Sequence, residues 1–461
     1  MQKKWMVWIL LVGTALSFEG CGSDDSTQES NLESTTHLSS RSEMEQTHNM
    51  RSTLAYYGDK ENNRIVVVDI DAMSLIESID TGHQKSYAAE VVQSEADKHA
   101  HLLPKLYVDN RGSNIMDVID TQTNSIIKSI ALPFYPRSIN YNALADLVLV
   151  SGVDRAMSAV IDVKTDEVIA TVGNSEVTYP TTSGHAYISS GTLASGHPEW
   201  LNANTFVQID REHREIDTYV LSQEANGSWK TRLLNRLKTP SPVHNLIPPE
   251  IHGQGGHGHE ESNLYSTIFY ATAEGAEGVY PSVLKLAFIE GEGLSIEEEL
   301  LIKKEGLSPD IMGVHHLNFL KNQHYIYVGS DEGNLFIVDY TNSPMRIEKI
   351  VSAGKGAGHT TEFEHGDIAV VINHKDTFIT LMNTAINEKI ADILVSKLDL
   401  ELLEGAQTQS HPAYHFSKDG RYFYLFLTEE GALVKVDLIE KRIVERLEIG
   451  GKLSMGSFIE F

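Results

Sequence analysis

The segments RIVVVDIDAMSLIESI (64–79), IMDVIDTQTNSIIKSI (115–130) and VKVDLIEKRIVERLEI (434–449) share one pattern. Each is an apolar strand that ends near an aspartate, followed by a polar turn and a second strand. Aspartate suits this turn because its carboxylate can accept hydrogen bonds from the turn's own backbone. The recurring unit predicts a β-hairpin that is used many times in one chain.

Further copies of this hairpin fill most of the chain. AVIDVKTDEVIATV (159–172) and LFIVDYTNSPMRIEKI (335–350) are clear copies, and 205–221 and 377–393 are weaker ones. A second pair of strands precedes each copy, which gives a repeat of roughly 40–50 residues, the length of one four-stranded propeller blade. The repeats predict an all-β chain with the β-propeller fold.

The two ends of the repeat region indicate how the ring closes. The first unit, from Leu54, lacks an innermost strand, and KLSMGSFIEF (452–461) has the pattern of a lone innermost strand. A divergent unit occupies 242–302. We therefore expect about eight four-stranded blades closed by the C-terminal strand. Seven blades remain an alternative, because 173–310 matches the repeat poorly.

The N-terminus has the features of an export signal. Lys3 and Lys4 precede an apolar run at 5–18, which is shorter than a typical transmembrane helix. The following Phe18-Glu19-Gly20-Cys21 resembles a bacterial lipobox. We predict a lipoprotein signal peptide at 1–21 with lipidation of Cys21, a disordered tether at 22–52 and the propeller at 53–461. The expected location is the periplasm, anchored to a membrane; a cleaved signal with an incidental cysteine is the alternative.

Charge and cysteine content narrow the possible partners. The chain has 37 Lys+Arg against 64 Asp+Glu, a formal net charge of -27. Such a chain repels phosphate backbones, so we expect no nucleic-acid partner. The single cysteine excludes an intrachain disulfide and a cysteine-based zinc site, so any metal site must use His, Asp, Glu or backbone oxygen.

Histidines recur near the predicted starts of the innermost strands, which meet around one mouth of a propeller's channel. The predicted metal ligands are His83, His197, His244, His315, His316, His359 and His411. Imidazoles from several blades that meet on one axis could bind a zinc ion, and copper or nickel would accept the same ligands. For each histidine alone, an ordinary turn or strand-end position is the alternative.

A second histidine cluster lies on the glycine-rich segment IHGQGGHGHEES (251–262). The predicted ligands of this secondary metal loop are His252, His257, His259 and Glu260. Short histidine-rich tracts are typical of metal binding, and the glycines exclude a stable helix or strand. We expect a weaker, exchangeable site here, with a solvated loop as the alternative.

The repeats resemble bacterial propellers with YVTN-type repeats, a group that includes d1-haem domains. GVHHLNF (313–319), GAGHTTEF (356–363) and the 251–262 loop are similar to periplasmic zinc metallochaperones of the AztD type. That resemblance implies a non-enzymatic zinc-binding protein that passes zinc to the solute-binding protein of a metal ABC importer. The lipid anchor departs from this family, because a shuttle need not be tethered.

Two other functions stay open. A tetrapyrrole-binding propeller related to the d1-haem proteins would use one histidine as an axial ligand and basic residues for carboxylates, with Arg137 the main basic candidate. A protein-interaction scaffold would leave the histidines without a role. We predict no catalytic residues, because the sequence contains no nucleophile elbow, P-loop or dinucleotide-binding motif.

Overall fold

The computed structural model of the protein describes residues 52–99, 102–175, 193–249, 266–321, 324–401 and 407–460. These residues form eight four-stranded antiparallel sheets arranged as the blades of a propeller, which confirms the predicted all-β fold and the higher of the two blade counts. The predicted signal peptide and tether, with Cys21, lie outside the described residues. The boundaries at 21 and 52 therefore stay predictions.

Blades 1 to 4 are numbered from the N-terminus, and each contains three or four consecutive strands. Blade 1 contains β1 (Thr53–Asp59), β2 (Arg64–Asp69) and β3 (Ser74–Asp80). Blade 2 contains β4 (Ser86–Val92), β5 (Lys105–Asn110), β6 (Ile115–Asp120) and β7 (Ser125–Ala131). Blade 3 contains β8 (Pro136–Asn142), β9 (Leu147–Gly152), β10 (Ala156–Asp162) and β11 (Glu167–Asn174). Blade 4 contains β12 (Glu199–Trp200), β13 (Thr205–Asp210), β14 (Glu215–Gln223) and β15 (Trp229–Lys238).

Blades 5 to 8 follow the same order, from the innermost strand outward. Blade 5 contains β16 (Val243–Ile247), β17 (Ile268–Ala273), β18 (Ser282–Ile289) and β19 (Gly293–Leu301). Blade 6 contains β20 (Val314–Phe319), β21 (Tyr325–Ser330), β22 (Asn334–Asp339) and β23 (Arg346–Ser352). Blade 7 contains β24 (Ala357–Glu362), β25 (Ile368–Asn373), β26 (Phe378–Asn383) and β27 (Glu388–Leu394). Blade 8 contains β28 (His415–Phe416), β29 (Tyr422–Leu427), β30 (Ala432–Asp437) and β31 (Arg442–Glu448).

The ring closes as the sequence predicts. The last strand, β32 (Leu453–Glu460), is the innermost strand of blade 1 and pairs antiparallel with β1, with Leu54 opposite Ile459. At this junction the Tyr57 ring stacks on Phe426 of blade 8, with ring centroids 3.8 Å apart. Blade 1 is thus assembled from both ends of the described chain.

The repeated aspartate forms the turn that the sequence predicts. Oδ1 of Asp69 accepts a hydrogen bond from the backbone N–H of Ala72 at 2.9 Å, and Oδ1 of Asp437 accepts one from Ile439 at 2.9 Å. The residue four positions after each aspartate, Met73 or Lys441, has a positive φ. Blades 2, 3, 4 and 7 have the same left-handed residue at Asn124, Asp166, Arg214 and Asn387. This residue closes the hairpin with a tight turn, so the weaker copies in blades 4 and 7 use the same geometry.

The hydrophobic core consists of layers between neighbouring blades. One cluster joins Val118 of blade 2 to Val150 of blade 3, and another joins Phe426 of blade 8 to Val66 of blade 1. Such clusters occupy all eight interfaces between neighbouring blades of the described chain. Because apolar burial runs around the whole ring, the centre of the ring can be lined by polar side chains without loss of the core.

Helix is scarce in the part of the chain that the structure describes. It comprises α1 (Glu95–His99) and a 3-10 turn at Pro309–Ile311. Among the described residues, no helix has the length and apolar character needed to cross a bilayer.

Candidate metal centre

The innermost strands begin with an irregularity that controls where their side chains point. In blades 5, 6 and 7 the first residue of the strand pairs with the last residue of the next strand, and the register then shifts. Such a bulge adds a residue to one strand and re-aims the side chains beside it. His244, His315 and His359 each lie within two residues of such a start.

The bulge in β20 explains why two consecutive histidines reach the same place. In a regular strand, neighbouring side chains point to opposite faces. Here the rings of His315 and His316 lie with centroids 4.4 Å apart and nearly perpendicular planes. His316 also lies 4.1 Å from the ring of His359 in the next blade.

Seven histidines from five consecutive blades form one continuous group of ring contacts, which we call the histidine cluster. Its members are His197, His244, His315, His316, His359, His374 and His411. Six of them were predicted from the sequence as metal ligands. Five of the seven, at positions 244, 315, 316, 359 and 374, are no more than 6% exposed, and the other two are half-buried.

Three overlapping sets of side chains in the cluster have ligand atoms close enough to share one ion. They are His197–His244–His316, His315–His316–His359 and His244–Glu274–His315, each with all ligand atoms within 4.8 Å of one another. Each set shares one histidine with each of the other two. The arrangement is suited to a single ion with three or four nitrogen ligands. The position of this ion would differ only slightly from one ligand set to another.

Glu274 orients His244. It follows the last residue of β17, and its Oε1 lies 2.7 Å from Nδ1 of His244. Arg211 binds the other carboxylate oxygen. Burial alone would raise the pKa of Glu274, but Arg211 and His244 hold it at about 2, so the carboxylate is ionised and can only accept. Nδ1 of His244 must therefore donate, which leaves the lone pair on Nε2 for a metal.

A second chain of hydrogen bonds orients His359. The backbone carbonyl of Gln409 accepts from Nδ1 of His374 at 3.0 Å, and Nε2 of His374 lies 2.7 Å from Nδ1 of His359. Because a neutral His374 that donates through Nδ1 must accept through Nε2, His359 donates through Nδ1 and keeps its Nε2 lone pair. His374 thus contributes to the candidate metal site by fixing the orientation of His359.

Burial lowers the pKa of four of the seven clustered histidines. Burial lowers the pKa of His244 and of His374 to about 4, although hydrogen bonds to Glu274 and to the Gln409 carbonyl oppose the shift. Burial and then the neighbouring histidines push the pKa of His315 well below its ordinary value. For His411 the causes of the lowered pKa are burial, then His374 and then Arg111. Neutral imidazole is the form that binds a metal, so these four histidines need no deprotonation at neutral pH.

The other predicted site residues have different positions. Nδ1 of His83 lies 2.9 Å from Asp117, and among the ring contacts of the described residues none joins His83 to the histidine cluster. The predicted secondary loop, with His252, His257, His259 and Glu260, falls in a segment that the structure does not describe, so its role stays a prediction.

The sequence analysis missed four residues at this mouth. His374, Glu274 and Arg211 each follow the second strand of a blade, and Arg111 occupies the same position in blade 2. That position lies beside the start of the innermost strand, because the last residue of the second strand pairs with the first residue of the innermost one. Examining this position in every copy of the repeat would have identified all four residues.

Comparison with known proteins supports the fold and leaves the function open. No family model matches the chain. The protein NirF of Pseudomonas aeruginosa is 34% identical over 94 residues, which span 20% of this chain and 21% of NirF. The match thus covers about a fifth of that relative's length.

Solved propeller structures match nearly the whole repeat region. Dihydro-heme d1 dehydrogenase NirN, in complex with DHE, superposes with a TM-score of 0.56 at 13% identity, over 88% of this chain and 74% of NirN. AztD from Citrobacter koseri superposes with a TM-score of 0.51 at 10% identity, over 89% of this chain and 99% of AztD. BamB from Moraxella catarrhalis superposes with a TM-score of 0.51 at 12% identity, over 81% of this chain and 92% of BamB. At these identities the likeness extends to the fold alone.

Proposed function

We propose that this protein binds a divalent metal ion in the histidine cluster, with zinc the expected ion and copper or nickel as competitors. The observation that carries the proposal is the convergence of seven buried or half-buried imidazoles from five blades. A single buried histidine usually has a structural role, but three overlapping ligand sets on one axis have no comparable structural need. Zinc accepts histidine nitrogens in near-tetrahedral sites, which suits this arrangement.

The hydrogen bonds around the cluster support a metal rather than a purely structural network. His244 and His359 are both held with Nδ1 donating, so both present Nε2. Metal-binding histidines almost always donate their second N–H to a carboxylate or carbonyl in this way. The ion would be bound by Nε2 of these two residues together with His315, His316 or His197.

The position of the cluster is suited to transfer of the ion. His197 and His411, at the two ends of the cluster, are partly exposed, whereas its central members are buried. We propose that the protein is exported, tethered through Cys21, and passes zinc to the solute-binding protein of a metal uptake system. The loop with His252, His257 and His259 would collect the ion before it enters the cluster.

Titration of the full-length, metal-free protein with zinc, copper and nickel tests this function. We expect one tightly bound ion per chain, lost when His315 and His316 are both replaced by Ala. Absence of stoichiometric binding of all three ions would leave the interaction-scaffold alternative in place.

Tetrapyrrole binding is the second candidate, and one observation favours it. Arg111 and Arg137 lie at the inner ends of blades 2 and 3, across the mouth from the histidines, where they could hold carboxylates while an imidazole binds the iron. Addition of haem to the protein tests this alternative. A shifted Soret band that disappears in the His315→Ala/His316→Ala variant, with no zinc binding by the parent, would select it.

A further inference from the structure

The side of the mouth that carries no clustered histidine carries two guanidinium groups. Arg111 follows β5, and Arg137 is the second residue of β8. Nη2 of Arg111 donates to the backbone carbonyl of Arg137 at 2.6 Å, and the Arg111 guanidinium lies 4.0 Å over the ring of Tyr87. Nε of Arg111 is 3.0 Å from Asp109. These contacts fix the guanidinium of Arg111 in one orientation.

The two arginines complete the ring between the ends of the histidine cluster. Arg137 donates through Nη1 to the carbonyl of Ser195, two residues before His197. At the other end, Nη2 of Arg111 lies 3.4 Å from the sulfur of Met455. The neighbouring residue, Ser454, accepts a hydrogen bond from the backbone N–H of His411 at 2.9 Å. An ion held by the imidazoles therefore has guanidinium groups on the remaining side of the mouth.

A metal dication would bring two positive charges to the histidine cluster. Neutral imidazole ligands supply no negative charge, and the carboxylate of Glu274 is already paired with Arg211. Asp109 is likewise paired with Arg111. Two further positive charges among buried side chains are costly unless an anion accompanies them.

Arg111 has a donor available for such an anion. It uses Nε and Nη2 in the contacts above, while its Nη1 donates to no described residue. Its side chain is 21% exposed, so a small solute can reach it. A guanidinium group binds planar oxyanions through two parallel hydrogen bonds, which matches carbonate and carboxylate groups.

We infer that the mouth binds its metal ion together with a small planar oxyanion, carbonate or a small carboxylate, which Arg111 holds opposite the histidine cluster and which completes the coordination of the ion. This inference rests on the proposed metal-binding function. Zinc readily takes an oxygen as its fourth ligand beside three imidazoles. Anion and metal would then each increase the affinity for the other to the same extent.

Zinc affinity of the full-length protein, measured in carbonate-free buffer and again with bicarbonate or oxalate, tests the inference. We expect binding to tighten by about tenfold or more with one of the two anions, a typical size for coupling between sites. The response to bicarbonate or to oxalate alone identifies the source of the oxyanion. With cobalt as the probe, the same anion should shift the visible absorption bands, because a ligand of the ion changes.

Variants locate the effect. In Arg111→Gln the ratio of zinc affinities with and without the anion should fall to about one. Arg111→Lys should retain only part of the increase in affinity, because lysine keeps the positive charge but cannot form two parallel hydrogen bonds to the anion. The control is Arg232→Gln, an exposed arginine on β15, which should keep the full ratio. Circular dichroism confirms that each variant is folded.

Three outcomes would overturn the inference and can be told apart. If zinc binds equally well with and without both anions, the anion site is wrong while metal binding stands. If zinc fails to bind under every condition, the metal-binding function and the anion site are both wrong. An anion effect that survives in Arg111→Gln would also contradict the assignment to Arg111.

Discussion

Oε1 of Glu274 lies 2.7 Å from Nδ1 of His244, and Arg211 binds the second oxygen of the same carboxylate. This relationship connects blade 4 to blade 5 and fixes the tautomer of a candidate ligand. Replacing Glu274 by Gln should weaken zinc binding by about 10- to 100-fold, the usual cost of losing a partner that orients a ligand. Zinc titration of the variant measures the change.

The control for this prediction must allow for Arg211. Glu274→Gln leaves a buried guanidinium without its carboxylate, which lowers stability. The double variant Glu274→Gln/Arg211→Gln removes that charge and should regain stability without regaining zinc affinity. Glu277→Gln, an exposed glutamate in the same turn, should bind zinc as the parent does.

The central histidines should dominate metal binding. His315→Ala together with His316→Ala should abolish stoichiometric zinc binding, since these residues take part in all three ligand sets. The far-ultraviolet spectrum should stay that of a β protein. Replacement of His252, His257 and His259 should remove only a weaker, faster component. His365→Ala, at an exposed position, serves as the control. Loss of tight binding in the loop variant alone would show that the loop is the metal site.

The lowered pKa of His374 predicts a specific pH dependence of stability in the metal-free protein. Its pKa is about 4 when folded against an ordinary value near 6.5, so the unfolded chain binds more protons between these values. The stabilising contribution is therefore complete above pH 6.5 and is lost as the pH falls towards 4. Buried carboxyls such as Asp109, whose pKa burial raises to about 6, act in the opposite direction. The prediction is therefore tested as a difference between variants.

Urea unfolding between pH 6.5 and 4 measures this difference. In His374→Gln the dependence of unfolding free energy on pH should change by up to about one proton relative to the parent. The control is His213→Gln, because a hydrogen bond to Asp210 raises the pKa of His213. Its contribution is fully present below pH 6.5 and is lost only as the pH rises above that value, so its removal should leave the slope between pH 6.5 and 4 as it is in the parent. Equal slopes in the parent and in His374→Gln would contradict the buried, neutral state of His374.

Gly456 marks the closing strand as a close-packed junction. A Cβ added at this position would lie 2.0 Å from Cδ2 of Tyr57, whose ring is buried against Phe426. Gly456→Ala should therefore lower the unfolding free energy by about 1–3 kcal/mol or more, as overpacking does. Thermal or urea unfolding measures this, with the half-buried neighbour Ser457→Ala as the control. A variant as stable as the parent would show that the junction is loosely packed.

Membrane attachment depends on Cys21 if the lipoprotein prediction is correct. The Cys21→Ser variant should move from the membrane fraction to the soluble fraction of the cell. A change of Ser26 to Ala in the adjacent segment should leave the distribution as it is in the parent. Identical fractionation of Cys21→Ser and parent would show that the protein is not anchored through this residue.

The sequence specified the fold well because the repeated turn is a local structure. Asp69 and Asp437 accept hydrogen bonds from residues two or three positions away, so a short segment contains all that the turn needs. The closing strand was also predictable, since a first unit without an innermost strand requires one from elsewhere. The blade count needed the structure, because 173–310 matches the sequence repeat poorly.

The candidate site was only partly predictable for a related reason. His244, His315 and His359 occupy recurring positions, and recurrence of one residue type is visible in a sequence. The position after the second strand carries a different residue type in each blade, including Arg111, Glu274 and His374. These residues contact their partners only when the chain is folded and neighbouring blades lie side by side, so their role is not visible in the sequence. His83 has a similar sequence position, but its Nδ1 lies beside Asp117 in the structure.

The closed ring has a seam, and the three ligand sets of the histidine cluster lie away from it. The ligand sets belong to blades 4 to 7, while the strand pair β1–β32 joins the two ends of the chain in blade 1. An ion bound by one of these sets would connect two or three neighbouring blades and would leave the seam held by strand pairing and side-chain packing. On mechanical stretching or heating, the metal-bound ring should therefore open first at blade 1, and the blades that the ion connects should separate last.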